Sequence, residues 1–477
     1  FYLEALGKAP IDKLGSESAR DERALYHRLF LRFTKGMPFQ HFAAENIRKH
    51  LVYTPKAIML LARAWILYAA FLGMAIVIGM TIGGIGGFFL TFAVILAAPY
   101  ALAYGILLPL AAITSLQKPI EHILIRRATR QLRAHRGLKI AIAGSFGKTS
   151  MRDILHTVLS QGKKVASPPH SYNTPLGISR FVGGLRGDED ILIFEFGEYK
   201  RGDIRALCAM VQPQWGVITG VNEAHLKKFK LLRETAAPIF ELKEWLGERP
   251  LYVNGESELA RAHADSAAIL YDRKGAGSWH AENPHTSLDG TSFTLMKGAI
   301  QLDVASKLCG LHQIGPLAAA ADIADRLGFS PDAIREGLSR TTPFAHRLKP
   351  ALNADGVVML DDSYNGNPDG VDAVIEFLAS LRDHRRWYVT PGLVEMGPRM
   401  AEVHQKIGKK LAESGIEKVL LIRNSVTPYI EEGLKAHGYK GEILWYDDAL
   451  AAFAALSHLT VKGDVVLLQN DWPDQYQ

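Results

Sequence analysis

The sequence predicts the α/β fold class, with two domains built on largely parallel sheets and, before them, a two-helix transmembrane hairpin. From residue 139 onward, short apolar runs alternate with helical patterns, which is typical of parallel sheets covered by helices. The motif GSFGKTS at 144–150 directly follows one such run, and residues 64–117 contain no Asp, Glu, Lys, Arg or His. A chain of 477 residues has room for about three domains.

The N-terminal part divides into two segments. Segment 1–56 is charged and mixed and predicts no chemistry, whereas segment 57–116 is predicted to form the hairpin. At about 1.5 Å per helical residue, the uncharged run crosses a hydrocarbon core of about 30 Å twice. We expect spans near 64–82 and 88–112, joined by a glycine-rich turn at 83–87. A buried hairpin of a soluble domain is the alternative, but soluble helices rarely lack a polar face for so long.

Basic residues flank this run on both sides. Between 118 and 139 the sequence has seven Lys or Arg residues against one acid, Glu121. The positive-inside rule therefore predicts a multi-pass protein of the inner membrane with its catalytic domains facing the cytoplasm. Segment 117–137 has the pattern of a basic amphipathic linker helix, either lying on anionic membrane lipid or packed on the soluble part. Because the charge excess is local, we predict no nucleic-acid partner.

The motif at 144–150 has the composition of a phosphate-binding loop between a strand and a helix. Its glycines allow a tight turn that points backbone N–H groups at phosphate oxygens, and the following helix offers its positive end. A lysine then supplies a cation for the outer phosphates, and a threonine hydroxyl can bind Mg²⁺. The residues expected around the nucleotide are Gly144, Ser145, Phe146, Gly147, Lys148, Thr149 and Ser150.

Two further residues are candidates for this site. Glu195 ends the apolar run ILIFE, so its carboxylate is expected at the carboxyl edge of the sheet, beside the loop, where an acid suits Mg²⁺. His225 follows the run GVIT within NEAHL. A single histidine of this kind is more often structural than a ligand.

Several motifs occur together in one order: GSFGKTS, NTPLG, EFGEYKRGDI, VITGVNEAHL, GLHQIGPLAAAA, HRL and DDSYNGNPD. Together they resemble the Mur ligase family over roughly 138–470. The resemblance implies a central ATP-binding domain at 138–343 and a Rossmann-like C-terminal domain at 344–477. It also implies ATP-dependent amide bond formation through an acyl phosphate, in which an amino acid or D-Ala-D-Ala is added to a cell-wall peptide precursor, here one that is free or lipid-linked.

The resemblance also implies roles for individual residues. Lys148 and the loop amides would hold the phosphates of ATP, and Arg347 would reach them from the C-terminal domain. Thr149, Glu195 and His225 would surround Mg²⁺. Further nucleotide contacts are expected from Asn254, Gln313, Asp361 or Asp362, and Asn365, with Asn367 ordering the same loop as Asn365.

The sequence departs from the family pattern at several points. The family's carbamylated lysine is replaced by Ile239, with Lys243 nearby, and the adenine-contacting His-Asn pair reads His312-Gln313. The family's N-terminal domain, which grips the UDP sugar, is replaced by the apolar segment. Two alternatives therefore stay open: a poly-γ-glutamate-type synthase, and a catalytically weakened ATP-binding membrane scaffold. A P-loop motor is disfavoured, because DDSYNGNPD has no place in one.

Overall fold

The computed structural model describes residues 55–169, 172–198, 200–221, 232–344, 347–363, 366–393 and 396–470. Within helices, the backbone alone is described at 55–61, 99–116 and 232–236. The chain separates into two compact units, 1–127 and 128–477. Each unit is described by itself.

Two long helices begin in the first unit, and the second of them continues past Arg127. Helix α1 spans Pro55–Ile82 and helix α2 spans Gly84–Ala134. The Thr91 hydroxyl of α2 donates a hydrogen bond of 3.1 Å to the carbonyl oxygen of Ala75 in α1, so the two helices are in contact. Many large apolar side chains of both helices are exposed, Trp65 and Phe88 among them.

The turn predicted at 83–87 is shorter in the structure, because the chain reverses within Gly83 and Gly84, which have φ of 61° and 59°. Gly87 instead lies inside α2, where an added Cβ would come within 2.5 Å of the Gly79 carbonyl oxygen. The last glycine of this cluster therefore permits close helix packing rather than a turn.

The separate linker helix predicted at 117–137 is wrong as a separate element. Its residues continue α2 to Ala134, because the stretch after 119 has no glycine or proline until Gly137. A second span is not shown either. Among the residues whose side chains are described, one segment, Ala62–Ile82, is long and apolar enough to cross a membrane.

A ten-stranded sheet forms the centre of the next domain. Its strand order is β10-β9-β8-β7-β6-β5-β4-β1-β3-β2, and β1 to β6 pair in parallel whereas β7 to β10 pair antiparallel. The strands are β1 Leu138–Ala143, β2 Val165–Ala166, β3 Ile191–Glu195, β4 Trp215–Ile218, β5 Leu251–Asn254, β6 Ile269–Asp272, β7 Gly275–Ala276, β8 Trp279–Ser287, β9 Gly290–Lys297 and β10 Ile300–Ser306.

Helices cover both faces of this sheet. They are α3 Lys148–Leu159, α4 Pro175–Val182, α5 Asp203–Val211, α6 Leu232–Leu246, α7 Glu258–His263, α8 Ile314–Arg326 and α9 Pro331–Ser339. Strands β1 and β3 are buried almost throughout, as parallel strands between two helical layers must be. Their apolar runs therefore predicted them well.

A six-stranded sheet forms the C-terminal domain, with order β11-β12-β16-β13-β14-β15 and only β11 antiparallel. Its strands are β11 Lys349–Leu352, β12 Val358–Asp362, β13 Arg386–Thr390, β14 Lys418–Ile422, β15 Glu442–Tyr446 and β16 Val465–Gln469. Its helices are α10 Pro368–Ser380, α11 Met400–Glu413, α12 Thr427–Ala436 and α13 Ala449–Leu459. The expected α/β architecture with a central and a C-terminal domain is confirmed.

Candidate active site

The loop at 144–150 connects β1 to α3, and its backbone has the conformation that the glycines predict. Gly144 and Gly147 have φ of 148° and 76°. A Cβ at Gly144 would lie 2.3 Å from the hydroxyl of Thr219, so only glycine fits there. Helix α3 begins at Lys148 without a side-chain cap, which leaves its first N–H groups for an anion.

The chain that follows β4 braces this loop. Ser145 donates its backbone N–H to the carbonyl oxygen of Gly220 at 2.8 Å, and the Thr219 hydroxyl donates to the carbonyl oxygen of Phe146. Gly220 has φ of 154°, and an added Cβ would lie 2.3 Å from the Phe146 ring. These contacts hold the loop in one shape before any ligand arrives.

Glu195 lies where the sequence predicts it, at the carboxyl end of β3 beside the loop. Its carboxylate accepts a hydrogen bond of 3.2 Å from the Thr149 hydroxyl and pairs with Arg152 at 2.8 Å. Burial raises the pKa of Glu195, and the charges of Arg152 and Lys148 oppose that change. Two of the three predicted Mg²⁺ ligands are thus adjacent, and both offer the oxygen donors that Mg²⁺ prefers.

The third predicted ligand, His225, lies outside the described residues, as does Asn365. Among the residues that are described, no group of three or more His, Cys, Asp or Glu side chains has the arrangement of a metal site.

A cavity of about 440 Å³ opens between the phosphate loop and the C-terminal domain. Of the predicted nucleotide contacts, those that line it are Phe146, Gly147, Ser150, Asn254, Gln313, Arg347 and Asp362. The remaining described ones, Gly144, Ser145, Lys148, Thr149 and Asp361, are not among its lining residues. The cavity therefore joins residues that are more than 200 positions apart in the sequence.

Strand alternation separates Asp361 from Asp362. Successive side chains on β12 point to opposite faces, and the cavity is lined by Asp362. Asp361 instead accepts hydrogen bonds from the Ser363 hydroxyl at 2.7 Å and its N–H at 3.1 Å. Burial raises the pKa of Asp362 to about 7, with the charge of Arg347 and a hydrogen bond from Gln469 acting in the opposite direction.

Arg347 precedes a strained backbone position. Leu348 has φ of 48°, which a side chain other than glycine, asparagine or aspartate rarely adopts. Leu348 is buried in the C-terminal core, so packing holds it in this conformation while Arg347 lines the cavity.

The polar groups at the other end of the cavity come from the central domain. The Asn254 amide is engaged in the fold, since it donates to the Thr219 carbonyl at 2.8 Å and accepts from the Glu256 N–H at 3.0 Å. Gln313 bonds His312 at 2.9 Å. Burial lowers the pKa of His312 to about 4, and its buried Nδ1 atom has no hydrogen-bond partner. The His312 Nδ1 atom and the Gln313 amide can therefore form hydrogen bonds with a heterocyclic ring bound in the cavity.

Three residues of this region were not predicted from the sequence, namely Arg273, Glu376 and Glu198. Arg273 donates to both carboxylate oxygens of Glu376 in α10, at 2.6 and 2.8 Å, and all of these groups line the cavity. Glu198 contacts the Lys148 ammonium at 3.2 Å. Glu198 could have been found as the second acid of EFGE, whereas no local signal links Arg273 to Glu376.

Ile239 on α6, the residue that the motif comparison aligns with the family's carbamylated lysine, has no exposed surface. Glu241 accepts the backbone N–H groups of Gly202 at 2.7 Å and Arg205 at 3.0 Å, and Lys243 pairs with Asp265 at 2.9 Å. Each of the three side chains thus has a structural role.

Comparisons with known proteins identify the class. Residues 142–324 match the family model of the Mur ligase middle domain, and residues 346–469 match that of the Mur ligase, glutamate ligase domain. Together the two matches cover more than half of the chain. A domain pair of this kind defines an ATP-dependent ligase. The chain belongs to the Mur ligase family.

The chain is similar to several named members. UDP-N-acetylmuramoyl-tripeptide--D-alanyl-D-alanine ligase of Mycobacterium tuberculosis is 28% identical over 354 residues, which cover 69% of both chains. The enzyme of the same name from Mycobacterium bovis is 29% identical over 59% of this chain, and the alignment spans 58% of that enzyme's length. The crystal structure of MurF ligase from Thermotoga maritima in complex with ADP matches with a TM-score of 0.64 and 22% identity, over 74% of this chain and 80% of that one.

The predicted location is wrong. A multi-pass protein of the inner membrane requires two spans, and one described segment qualifies. The relatives and structures that the chain resembles are Mur ligases, and the names they carry describe no membrane protein. Membrane lipid and a lipid-linked precursor likewise have no support as partners.

Proposed function

We propose that the chain is an ATP-dependent ligase that joins an amine to a carboxylate on a cell-wall peptide precursor. One observation carries the proposal: the phosphate loop of the central domain and Arg347 and Asp362 of the C-terminal domain line a single cavity. By the names of the relatives, we propose a UDP-N-acetylmuramoyl tripeptide as acceptor and D-alanyl-D-alanine as the incoming amine. We also propose 138–343 and 344–477 as the two catalytic domains.

The residues in and beside the cavity support ATP as the nucleotide. The loop glycines and the N-terminus of α3 suit the phosphates, and Lys148 and Arg347 supply positive charge near them. Asp362 lines the cavity, and we expect it to accept a hydrogen bond from a ribose hydroxyl. The unpartnered Nδ1 of His312 and the amide of Gln313 suit the edge of a purine.

The oxygen donors Thr149 and Glu195 fit Mg²⁺, and we propose that they hold it together with His225. When bound, Mg²⁺ would neutralise charge on the phosphates. Glu195 pairs with Arg152 and accepts a hydrogen bond from Thr149, so its carboxylate is oriented toward the loop.

The proposed reaction has two steps. An oxygen of the acceptor carboxylate attacks the γ-phosphorus, and the bond to ADP breaks to give an acyl phosphate. The amine nitrogen then attacks the acyl carbon, loses a proton, and expels inorganic phosphate. Lys148, Arg347 and the loop N–H groups would stabilise charge on the transferring phosphoryl group, because they are fixed before the reaction begins.

A second candidate function rests on Ile239. Its burial leaves no place for a carbamylated lysine, so the competing proposal is a nucleotide-binding scaffold with little turnover. A synthase that adds glutamate repeatedly is separated from both by the length of its product.

The test incubates the purified chain with ATP, Mg²⁺, a UDP-N-acetylmuramoyl tripeptide and D-alanyl-D-alanine, and follows products by mass spectrometry. We expect one amide product and one ADP per addition. Lys148→Ala should lower turnover by about a hundredfold or more, because it removes charge from the transition state, whereas Lys164→Ala at an exposed pair should not. Binding of ATP without any amide product from a panel of acceptors and amines would favour the scaffold.

A further inference from the structure

Gln469 is a buried amide at the end of β16 that the proposed reaction does not use. Its side chain is 1% exposed, and it lines the cavity together with Asp362. The two residues are partners in the register of the parallel strands β12 and β16. The Gln469 amide nitrogen donates a hydrogen bond of 2.9 Å to a carboxylate oxygen of Asp362. A buried amide therefore contacts the acid that we expect beside the ribose.

The orientation of the Gln469 amide follows from its two neighbours. The Tyr388 hydroxyl on β13 lies 3.5 Å from the Gln469 amide oxygen. Burial raises the pKa of Tyr388, so the hydroxyl stays protonated and can donate to that oxygen. Because the amide oxygen faces a donor, the amide nitrogen faces the carboxylate of Asp362, which accepts when it is ionised. The strand order β12-β16-β13 places the three side chains in a row.

The backbone directly after Gln469 is held on both sides. Asn470 donates its N–H to the Asp362 carbonyl oxygen at 3.2 Å, and its side-chain amide donates to the Gly392 carbonyl oxygen at 2.9 Å. Asn470 has φ of 64°, a conformation that asparagine adopts more readily than most residues. The end of β16 is thus fixed against β12 and against the chain after β13, which keeps Gln469 beside Asp362.

Asp362 keeps acceptor capacity for a ligand. A carboxylate offers about four lone-pair sites. The Gln469 amide takes one of them, and the backbone N–H of Leu348 supplies a further hydrogen bond. Because Gln469 is neutral, it orients the carboxylate without cancelling its charge. The carboxylate can therefore still form a strong, charge-assisted hydrogen bond with a hydroxyl donor.

We propose that Gln469 is a positioning residue that holds the Asp362 carboxylate in place to accept a hydrogen bond from a ribose hydroxyl of the nucleotide. This inference rests on the proposed ATP site, and it concerns the selection of the sugar rather than ligation. Acting through Asp362, Gln469 contributes to the discrimination between a ribonucleotide and a deoxyribonucleotide.

A purely structural role of Gln469 predicts a different result. If its amide only joins β16 to β12, its loss weakens the binding of ATP and of deoxy analogues by the same factor. If Gln469 positions Asp362, its loss weakens the binding of ATP more than that of the analogue lacking the contacted hydroxyl. The ratio of the two affinities is taken within each variant, so it separates these cases even where a variant is less stable.

The experiment measures the affinity of the full chain for ATP, 2′-deoxy-ATP and 3′-deoxy-ATP by calorimetry in Mg²⁺. The wild type should prefer ATP at least about tenfold over one deoxy analogue, as expected for loss of a hydrogen bond to a charged group. Gln469→Met removes the amide and should reduce this preference at least about threefold. Gln469→Asn is a milder variant that keeps an amide on a shorter arm, and it should reduce the preference as well.

Two further variants test the route of the effect. Asp362→Ala should abolish the preference, and the addition of Gln469→Met should change it no further, because Gln469 acts through Asp362. Gln405→Met is the matched control. The Gln405 amide also donates to a carboxylate, that of Glu432, at 3.0 Å, but this pair is exposed. Gln405→Met should keep the wild-type preference.

An unchanged preference in Gln469→Met, with normal ATP binding by the wild type, would overturn this inference and leave the proposed ligase intact. Equal binding of all three nucleotides by the wild type would do the same. A reduced preference in Gln469→Met without any amide product from the wild type would support the inference while overturning the ligase. Failure of the wild-type chain to bind ATP would overturn both.

Discussion

At the scale of single residues, the site shows why a motif match does not transfer every role. The motif comparison aligns Ile239 with the family's lysine, yet Ile239 is a fully buried apolar side chain on α6. Asp361 and Asp362 are adjacent in the sequence, yet only Asp362 lines the cavity. The sequence could not separate that pair because the strand register decides it, and register depends on the pairing of β12 with β16.

Replacing Ile239 with lysine is expected to destabilise the protein rather than to activate it. A lysine at a fully buried position must desolvate its ammonium group or displace α6. We predict a loss of about 3 kcal/mol or more in the free energy of unfolding, measured with urea. Ile239→Val is the control, at about 1 kcal/mol. Equal stability of the two variants, with higher turnover in Ile239→Lys, would contradict this prediction.

Asp362 is expected to make stability depend on pH. Because burial raises its pKa to about 7 in the folded state, the folded protein holds this proton more tightly than the unfolded chain. The stability it contributes is complete below about pH 4 and is lost as pH rises through about 7. Between pH 5 and 7 we predict that the wild type loses up to about 2 kcal/mol relative to Asp362→Asn.

Urea unfolding at pH 5, 6 and 7 measures this difference. Asp361→Asn is the matched control on the same strand, outside the cavity lining, and should follow the wild type. Parallel pH profiles of Asp362→Asn and the wild type would refute the assignment.

At the scale of elements, the first turn of α5 is capped by a carboxylate from the neighbouring helix α6. Glu241 accepts two N–H groups at the start of α5, where a negative charge also favours the helix dipole. Glu241 is therefore engaged in holding α5 against α6. This contact is invisible in the sequence, because its partners are more than 35 residues away.

Glu241→Ala should therefore lower stability without any direct effect on the nucleotide. We predict a loss of about 1–2 kcal/mol in the free energy of unfolding, as for other helix caps. Glu244→Ala is the control, since Glu244 pairs with Arg205 on the exposed surface and its loss should cost less than about 0.5 kcal/mol. Equal losses in the two variants would argue against the cap.

The elements themselves were largely predictable. The apolar run ILIFE coincides with β3, because continuous apolar runs are typical of strands buried on both faces. The N-terminal helices were predicted less well. Of the glycines at 83–87, Gly83 and Gly84 reverse the chain, whereas Gly87 allows α1 and α2 to pack closely. Amino-acid composition does not distinguish these two roles.

At the scale of the whole molecule, the central and C-terminal domains share the lining of the cavity and are also joined by an ion pair. Arg273 follows β6 of the central sheet and binds Glu376 in α10 of the C-terminal domain with two hydrogen bonds. These bonds hold the pKa of Glu376 below its ordinary value. The motifs predicted both domains, but a contact across 103 positions leaves no trace in a single sequence.

Breaking this pair should weaken ATP use by favouring an open arrangement. Since both side chains are partly exposed, we predict that Arg273→Ala raises KM for ATP only about three- to tenfold, with a coupling of about 1 kcal/mol to Glu376→Ala. Steady-state kinetics on the double-mutant cycle give the coupling. Arg335→Ala removes an exposed pair within one helix and should leave KM unchanged. Strict additivity in the cycle would exclude a joint role.

Each sheet is contiguous in the sequence, so the chain passes from the ten-stranded to the six-stranded sheet only once. A backbone cut between α9 and β11 would unpair no strand of either sheet. Cys309 of the central domain packs in the C-terminal core, which gives two separately produced fragments an apolar seam as well as an ion pair. Complementation of such fragments would then follow mass action, and ATP bound in the cavity as proposed would strengthen their association.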